Sequence, residues 1–230
     1  MPLTTEPASP PAPARARRTF RLGFWIVAAL ILGVVVVLYG PASWAYWTYF
    51  PQEGDVVFQA LPHQEVVDAI EGATDSDFSH CGIVAQVDGR WIVYEALGKV
   101  RATPLYDYLL RGRGRGFAVY RWKAAERDRV PAILEQTRTM LGRPYDSRYK
   151  MDDERIYCSE LIYKAYRDAT AGGQAGRLVR LGDLNWGAYE KTIVELEGNA
   201  PPLDREMITP RDLALAPQLE LVKSFRIRLP

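Results

Sequence analysis

The sequence has little of three things that would point to a particular kind of protein: cysteine, histidine and excess charge. Its 230 residues include two cysteines and two histidines, and the formal net charge is +1. Two cysteines cannot build the framework of a disulfide-rich domain. Near-neutral charge gives no support for nucleic acid as a partner. The cysteines and histidines also lack the paired spacing of zinc ligands, so we expect neither a metal nor another cofactor.

Charge is absent from one long run, Leu22 to Gly40, which comprises nineteen residues. As a helix this run is about long enough to cross a bilayer core of ~30 Å. The residues that follow are aromatic, as is typical of a membrane interface: Trp44, Tyr46, Trp47 and Tyr49. We therefore predict one transmembrane anchor over residues 22–42. A cleaved signal peptide is the alternative, although its apolar region usually spans only ~7–15 residues.

The flanks of the apolar run predict an orientation. Residues 1–21 are rich in proline, alanine and arginine and are expected to form a disordered tail, whereas no lysine or arginine occurs between Leu22 and Arg90. Basic residues stay preferentially on the cytoplasmic side of a membrane. The sequence thus predicts a single-pass protein whose N-terminus is cytoplasmic and whose folded domain, residues 51–230, lies outside the cytoplasm.

The clearest local signal in this domain is a β-hairpin. Two strand-like runs, 80–87 and 90–96, flank Asp88-Gly89, a dipeptide that favours a tight hairpin turn. Antiparallel pairing across this turn brings His80, at the start of the first run, close to Glu95, near the end of the second. A carboxylate beside an imidazole can fix its tautomer and orientation.

A second signal is a helix that begins at Cys158. Apolar side chains recur at helical spacing through Leu161, Ile162, Ala165 and Tyr166. Unpaired N–H groups at a helix start favour a thiolate over a thiol, which makes Cys158 a candidate nucleophile. A buried structural cysteine is the alternative. The run of alternating Arg and Gly from Arg111 to Gly116 is interpreted as a flexible, solvated loop, or as a contact for an anionic substrate or phospholipid head groups.

Together these segments resemble a known family. Gly142-Arg143-Pro144-Tyr145-Asp146 and Tyr157-Cys158-Ser159-Glu160-Leu161-Ile162 are similar to the Gly-x-Pro-Tyr and Cys-Ser-x-Leu segments of NlpC-type cysteine peptidases. Here the histidine segment, Ser79 to Val84, precedes the cysteine segment. That order resembles the circularly permuted branch typified by YiiX-like hydrolases. The resemblance covers residues 53–213, most of the predicted folded domain.

The resemblance implies an α+β, permuted papain-like fold in which an antiparallel sheet packs against the helix that bears the nucleophile. It implies a Cys158-His80-Glu95 site with nucleophile, general base and orienting carboxylate. Tyr145 and Tyr157 are candidates to line the cleft and to donate to a developing oxyanion. One departure is a cysteine after the histidine, where the family usually has an apolar residue. A disulfide between Cys81 and Cys158 stays open, but we expect Cys81 to be buried and both thiols to be free.

These inferences predict a membrane-anchored, exported thiol hydrolase that works through a thioester on Cys158. Its relation to cell-wall peptidases suggests a peptidoglycan stem-peptide amide as substrate. Permuted relatives that resemble lecithin:retinol acyltransferase suggest a lipid ester or lipid-linked amide instead. A hypothesis of another class is an inactive binding module that keeps the cleft without turnover.

Overall fold

The computed structural model describes residues 14–230, and for residues 14–23, 37–39, 41 and 42 it describes the backbone alone. The chain divides after Trp44 into two units. Helix α1 (Ala14–Trp47) accounts for the described part of the first. Residues 1–13 of the predicted tail lie outside the described residues, but α1 includes residues 14–21, because alanine and arginine are strong helix formers.

The predicted anchor, residues 22–42, falls within α1. Seven of its residues, 22, 23, 37–39, 41 and 42, have no described side chain. In the part of the chain that the structure describes, no helix is both long enough and apolar enough to cross a membrane.

The second unit is an α+β domain, as predicted. Its strands are β1 (Val56–Gln59), β2 (His80–Val87), β3 (Arg90–Leu97), β4 (Lys99–Pro104), β5 (Phe117–Trp122), β6 (Val179–Arg180), β7 (Glu206–Met207) and β8 (Leu219–Phe225). Six of them form one antiparallel sheet in the order β4-β3-β2-β1-β5-β8, and β6 pairs with β7. The helices are α2 (Glu65–Thr74), α3 (Leu105–Arg111), α4 (Val130–Thr139), α5 (Cys158–Ala169), α6 (Glu190–Glu197) and α7 (Pro210–Ala214).

The predicted hairpin is confirmed as β2 and β3. Asp88 and Gly89 both have positive φ, 48° and 74°, the backbone geometry of a tight turn between twisted strands. In the resulting register Gly82 lies opposite Glu95. Side chains two residues apart share a face of a strand, so His80 and Glu95 lie on the same face, offset by one pair.

The sheet has a hydrophobic layer on each face. On one face α4 and α5 pack against it, with Ile133, Leu161 and Ile162 fully buried, and on the other face Leu105 and Tyr108 of α3 are buried. Helix α5 packs directly against β2. This packing brings the start of α5 to the strand that carries His80.

Candidate active site

Cys158 is the first residue of α5, as the sequence predicts, and it is almost completely buried. The carboxylate of Glu160 accepts a hydrogen bond of 3.0 Å from the backbone N–H of Tyr157, which fixes the point where the helix begins. The N–H groups of the first turn of a helix carry partial positive charge, which favours a thiolate at Cys158.

His80 and Glu95 form the predicted pair. Nε2 of His80 lies 2.6 Å from Oε2 of Glu95, and both side chains are buried. Since Glu95 occupies Nε2, Nδ1 is the nitrogen left for Cys158, whose sulfur is within hydrogen-bonding reach of the imidazole. The structure thus brings Cys158, His80 and Glu95 into one connected chain.

Gly82 allows this pair to form. A Cβ atom at Gly82 would lie 2.4 Å from Cγ1 of Val93 and 3.3 Å from the Cβ of Glu95. A larger residue would therefore push β3 and its carboxylate away from β2. The glycine two residues after His80 is part of the site for a steric reason.

Two arginines and a threonine complete the surroundings of Glu95. Arg111 donates to both carboxylate oxygens, at 3.0 and 2.6 Å. Thr103 donates to Oε1 at 2.5 Å, and Arg101 lies 3.3 Å from the same oxygen. The carboxylate, although buried, is bound by donors on β2, β4 and α3.

The prediction of a solvated loop from Arg111 to Gly116 is wrong for its first arginines. Arg111 is the last residue of α3 and binds Glu95. Arg113 forms an ion pair of 2.6 Å with Glu71. The reason is that α3 packs on the sheet and directs this segment inward, which the polar composition of the run does not reveal.

The charges of the site favour a thiolate and an imidazolium. Hydrogen bonds from Cys81 and His80 outweigh burial and hold the pKa of the Cys158 thiol well below its ordinary value. Burial alone would lower the pKa of His80, but its bonds to Cys158 and Glu95 raise it. Burial would raise the pKa of Glu95, but bonds from His80, Arg111 and Thr103 hold it far below the usual range.

Cys81 contributes to the site in a way that the sequence did not indicate. It is fully buried in the same cluster as Cys158, and its thiol and backbone N–H lower the pKa of the Cys158 thiol. Burial, and then the neighbouring Cys158, raises the pKa of the Cys81 thiol, so Cys81 remains a protonated donor beside the thiolate. Both cysteines are free, which confirms the expectation of a buried Cys81 and no disulfide.

The two predicted tyrosines take different places. Tyr157 is buried, its ring lines a cavity at Cys158, and its phenol oxygen accepts a 3.0 Å hydrogen bond from the backbone N–H of Ile208. Tyr145 is half-buried, and its hydroxyl lies 3.5 Å from that of Tyr149. Tyr149, which the sequence analysis did not single out, also lines the cavity and packs edge-on against Tyr157.

The cavity beside Cys158 is small and apolar, with a volume of about 90 Å³. One wall comes from α2 and another from α6, and their side chains are aliphatic: Val66, Ala69, Ile70, Ala73, Ile193 and Leu196. Arg205 also lines the cavity and forms an ion pair with Glu197, in which Nη2 of Arg205 lies 3.1 Å from Oε2 of Glu197. No single segment of the sequence signals this cavity, because α2 and α6 are more than a hundred residues apart.

Comparisons with known proteins agree with this geometry. The model of a family described as permuted papain-like amidase enzymes, the YaeF/YiiX or C92 family, matches residues 50–223. The uncharacterized protein YiiX of Escherichia coli strain K12 is 33% identical over 175 residues, which cover 75% of this chain and 86% of that protein. The crystal structure of YiiX from Escherichia coli O157:H7 superposes with a TM-score of 0.72 at 29% identity, over 79% of this chain and 100% of that one.

The crystallised YiiX is described as a metalloprotein. In residues 14–230 of the present chain, no group of three or more His, Cys, Asp or Glu side chains is placed to hold a metal ion. The side chains of the active site that could donate to a metal ion are already engaged, because His80 and Glu95 bind each other and Glu95 also binds Arg111. These residues do not fit a metal centre.

Proposed function

The chain belongs to the YaeF/YiiX family of permuted papain-like amidases, and from this membership we propose that it is a cysteine hydrolase that cleaves an amide through Cys158, His80 and Glu95. The observation that carries the proposal is the connected chain of buried groups from the Cys158 sulfur through His80 to Glu95. An inactive binding module would not need a buried, charged carboxylate behind the imidazole, because burying charge without a purpose costs stability.

The proposed reaction has two steps. The Cys158 thiolate attacks the carbonyl carbon, the C–N bond breaks, and the His80 imidazolium gives its proton to the departing amine. A water molecule then loses a proton to His80 and attacks the thioester, which releases the carboxylic acid and restores the thiolate. Glu95 orients the imidazole and stabilises its charged form. We assign oxyanion stabilisation to the backbone N–H of Cys158, with Tyr145 as the candidate side-chain donor.

The acyl part of the substrate is proposed to be an alkyl chain. The support is the aliphatic lining of the cavity, to which α2 contributes Ala69 and α6 contributes Leu196. An apolar chain gains free energy by leaving water for such a cavity, whereas a charged stem-peptide side chain would lose its hydration there. This favours a lipid-linked amide or ester over the peptidoglycan amide suggested by the sequence.

We further propose that the domain works outside the cytoplasm and close to a membrane. The support is in the sequence: the uncharged run from Leu22 to Gly40 and the arginines before it. A membrane-attached enzyme would meet lipid substrates at their source. A reporter fused after Pro230 that is active only in the cytoplasm would reject this part of the proposal.

The substrate proposal can be tested with two panels of compounds. The purified protein is incubated with N-acyl amides of graded chain length and, separately, with muropeptides, and Cys158 is examined by mass spectrometry for a bound acyl group. Turnover and thioester should appear with the longer acyl chains and should be lost in Cys158→Ser. Acylation by muropeptides alone would reject the lipid substrate and support the cell-wall amide instead. No acylation in either panel, from protein whose Cys158 alkylates normally, would reject both.

A further inference from the structure

We infer that Arg111 is a positioning residue of the catalytic site, one that holds Glu95 in the plane and at the distance at which it orients His80. The inference rests on the proposed thiol chemistry and extends it to a residue outside the triad. Sequence patterns place Arg111 in a basic, glycine-rich run, but in the structure it ends α3 next to the active-site strands.

Arg111 holds the Glu95 carboxylate at two points. Arg111 grips the carboxylate with two nitrogens, Nη1 at 3.0 Å from Oε1 and Nη2 at 2.6 Å from Oε2. Oε2 is also the atom that lies 2.6 Å from Nε2 of His80. A two-point contact fixes the rotation of a carboxylate, which a single hydrogen bond does not. The oxygen that faces the imidazole is thereby set by the guanidinium.

Arg111 also supplies the positive charge that the buried Glu95 carboxylate needs. Glu95 is completely buried, and a carboxylate without a compensating charge would take up a proton there. His80 cannot serve alone, because its positive charge is shared with the Cys158 thiolate. Arg101 is more exposed than Arg111 and reaches Oε1 at 3.3 Å, and Thr103 is neutral. Arg111 is therefore the main fixed cation of this carboxylate.

Tyr108 provides a second connection from α3 to the site. The Cζ atom of Arg111 lies 5.1 Å from the centre of the Tyr108 ring, and that ring lies 5.7 Å from the imidazole of His80. The Tyr108 hydroxyl is held by the carbonyl of Val57 at 2.9 Å. A cation above an aromatic ring is stabilised by the ring electrons, so Tyr108 restricts where the guanidinium can move.

The test measures alkylation of Cys158 by iodoacetamide as a function of pH, which needs no substrate. The groups that face Glu95 and His80 are Arg101 and Thr103 from β4, Arg111 and Tyr108 from α3, and Cys158 from α5. In Arg111→Gln the acid limb of the profile should move to higher pH, because the imidazolium loses an oriented, ionised partner. We expect alkylation at pH 6 to fall about tenfold, the equivalent of one unit of pKa.

A double-mutant cycle separates positioning from a general structural role. If Arg111 acts through Glu95, then Arg111→Gln should change the rate less than about twofold in a Glu95→Gln background. Arg111→Lys, which keeps the charge but loses the two-point contact, should give an intermediate rate and also covers the case in which Arg111→Gln does not fold. Arg113→Gln is the matched control, because this arginine of the same run pairs with Glu71, and its profile should equal that of the wild type.

Two results would overturn the inference: an unchanged pH profile in both Arg111 variants, or an equal loss of rate with and without the Glu95 carboxylate. Failure of the proposed function would look different. In that case no acyl compound would be turned over, while the alkylation profile would still depend on Arg111 through Glu95.

Discussion

Cys81 and Cys158 are buried in the same cluster of the core, although Cys81 directly follows the proposed base, His80, in the sequence. Alternate residues of a strand face opposite sides of a sheet, so His80 points toward α3 while Cys81 lies beneath the start of α5. Two consecutive residues of β2 thus approach the same nucleophile from different directions. The hydrogen bond from Cys81 is the largest single cause of the low pKa of Cys158.

Replacement of Cys81 is therefore expected to affect the nucleophile. In Cys81→Ala the thiolate loses a donor, so its pKa should rise and alkylation of Cys158 at pH 6 should fall at least about tenfold, since a hydrogen bond to a charged group contributes ~1.5–3 kcal/mol. Cys81→Ser, which restores an O–H donor, should recover part of the rate. Rates of iodoacetamide labelling with site assignment by mass spectrometry decide this. Equal profiles for all three proteins would show that the contact has no electrostatic effect.

His80 and Glu95 should differ in how strongly they affect Cys158. Without the imidazolium, in His80→Ala, the pKa of the Cys158 thiol should rise while the lowering effect of Cys81 remains, so labelling at pH 6 should fall at least about tenfold. Glu95→Gln should have a smaller effect, since the carboxylate acts only through His80. The same labelling assay over pH 5 to 9 provides the measurement. Labelling that is indifferent to His80→Ala would contradict the assignment of the base.

The buried carboxyl group of Glu160 should make the stability of the folded protein depend on pH. Burial outweighs its bonds to Lys164 and to the Tyr157 N–H and raises its pKa to about 7. Between the ordinary value of ~4.5 and 7 the folded state holds a proton that the unfolded state has released, so the free energy of unfolding should fall as pH rises through this range. The difference in free energy of unfolding between Glu160→Gln and the wild type should therefore shift in favour of the variant by up to about 3 kcal/mol between pH 4.5 and pH 7.5.

Urea unfolding at a series of pH values measures this difference. Glu190→Gln serves as the control, because Glu190 occupies the first turn of α6 but is exposed, and it should leave the pH dependence unchanged. A constant difference between wild type and Glu160→Gln from pH 4.5 to 7.5 would contradict the raised pKa.

The size of the cavity should determine which acyl chain lengths the protein accepts. Ala69→Phe, on the wall from α2, should fill much of the space and reduce turnover of long-chain acyl amides at least about tenfold, by steric exclusion. Short acyl amides and iodoacetamide labelling of Cys158 should be nearly unaffected. Ala132→Phe, at an exposed position of α4, controls for the added ring. A uniform loss for all chain lengths would mean that the cavity does not bind the acyl group.

Much of the site was predictable from short segments of sequence. The hairpin follows from Asp88-Gly89 between two β-rich runs, and the α5 start follows from helical periodicity after Cys158. Both signals depend on neighbouring residues, so they survive without knowledge of the fold. Pairing across the hairpin was then enough to bring His80 near Glu95, and the resemblance to permuted papain-like enzymes joined them to Cys158.

What the sequence determined by itself is thus which three residues are the candidates for the reacting and orienting roles, because turn chemistry and periodicity are local. What only the tertiary structure decided is their environment: the grip of Arg111 on Glu95, the thiol of Cys81 beneath Cys158, and the apolar cavity between α2 and α6. Each depends on which way a helix or strand faces when the sheet packs. That direction is set by burial of the whole core, and the same arginine in an unpacked segment would be a solvated charge.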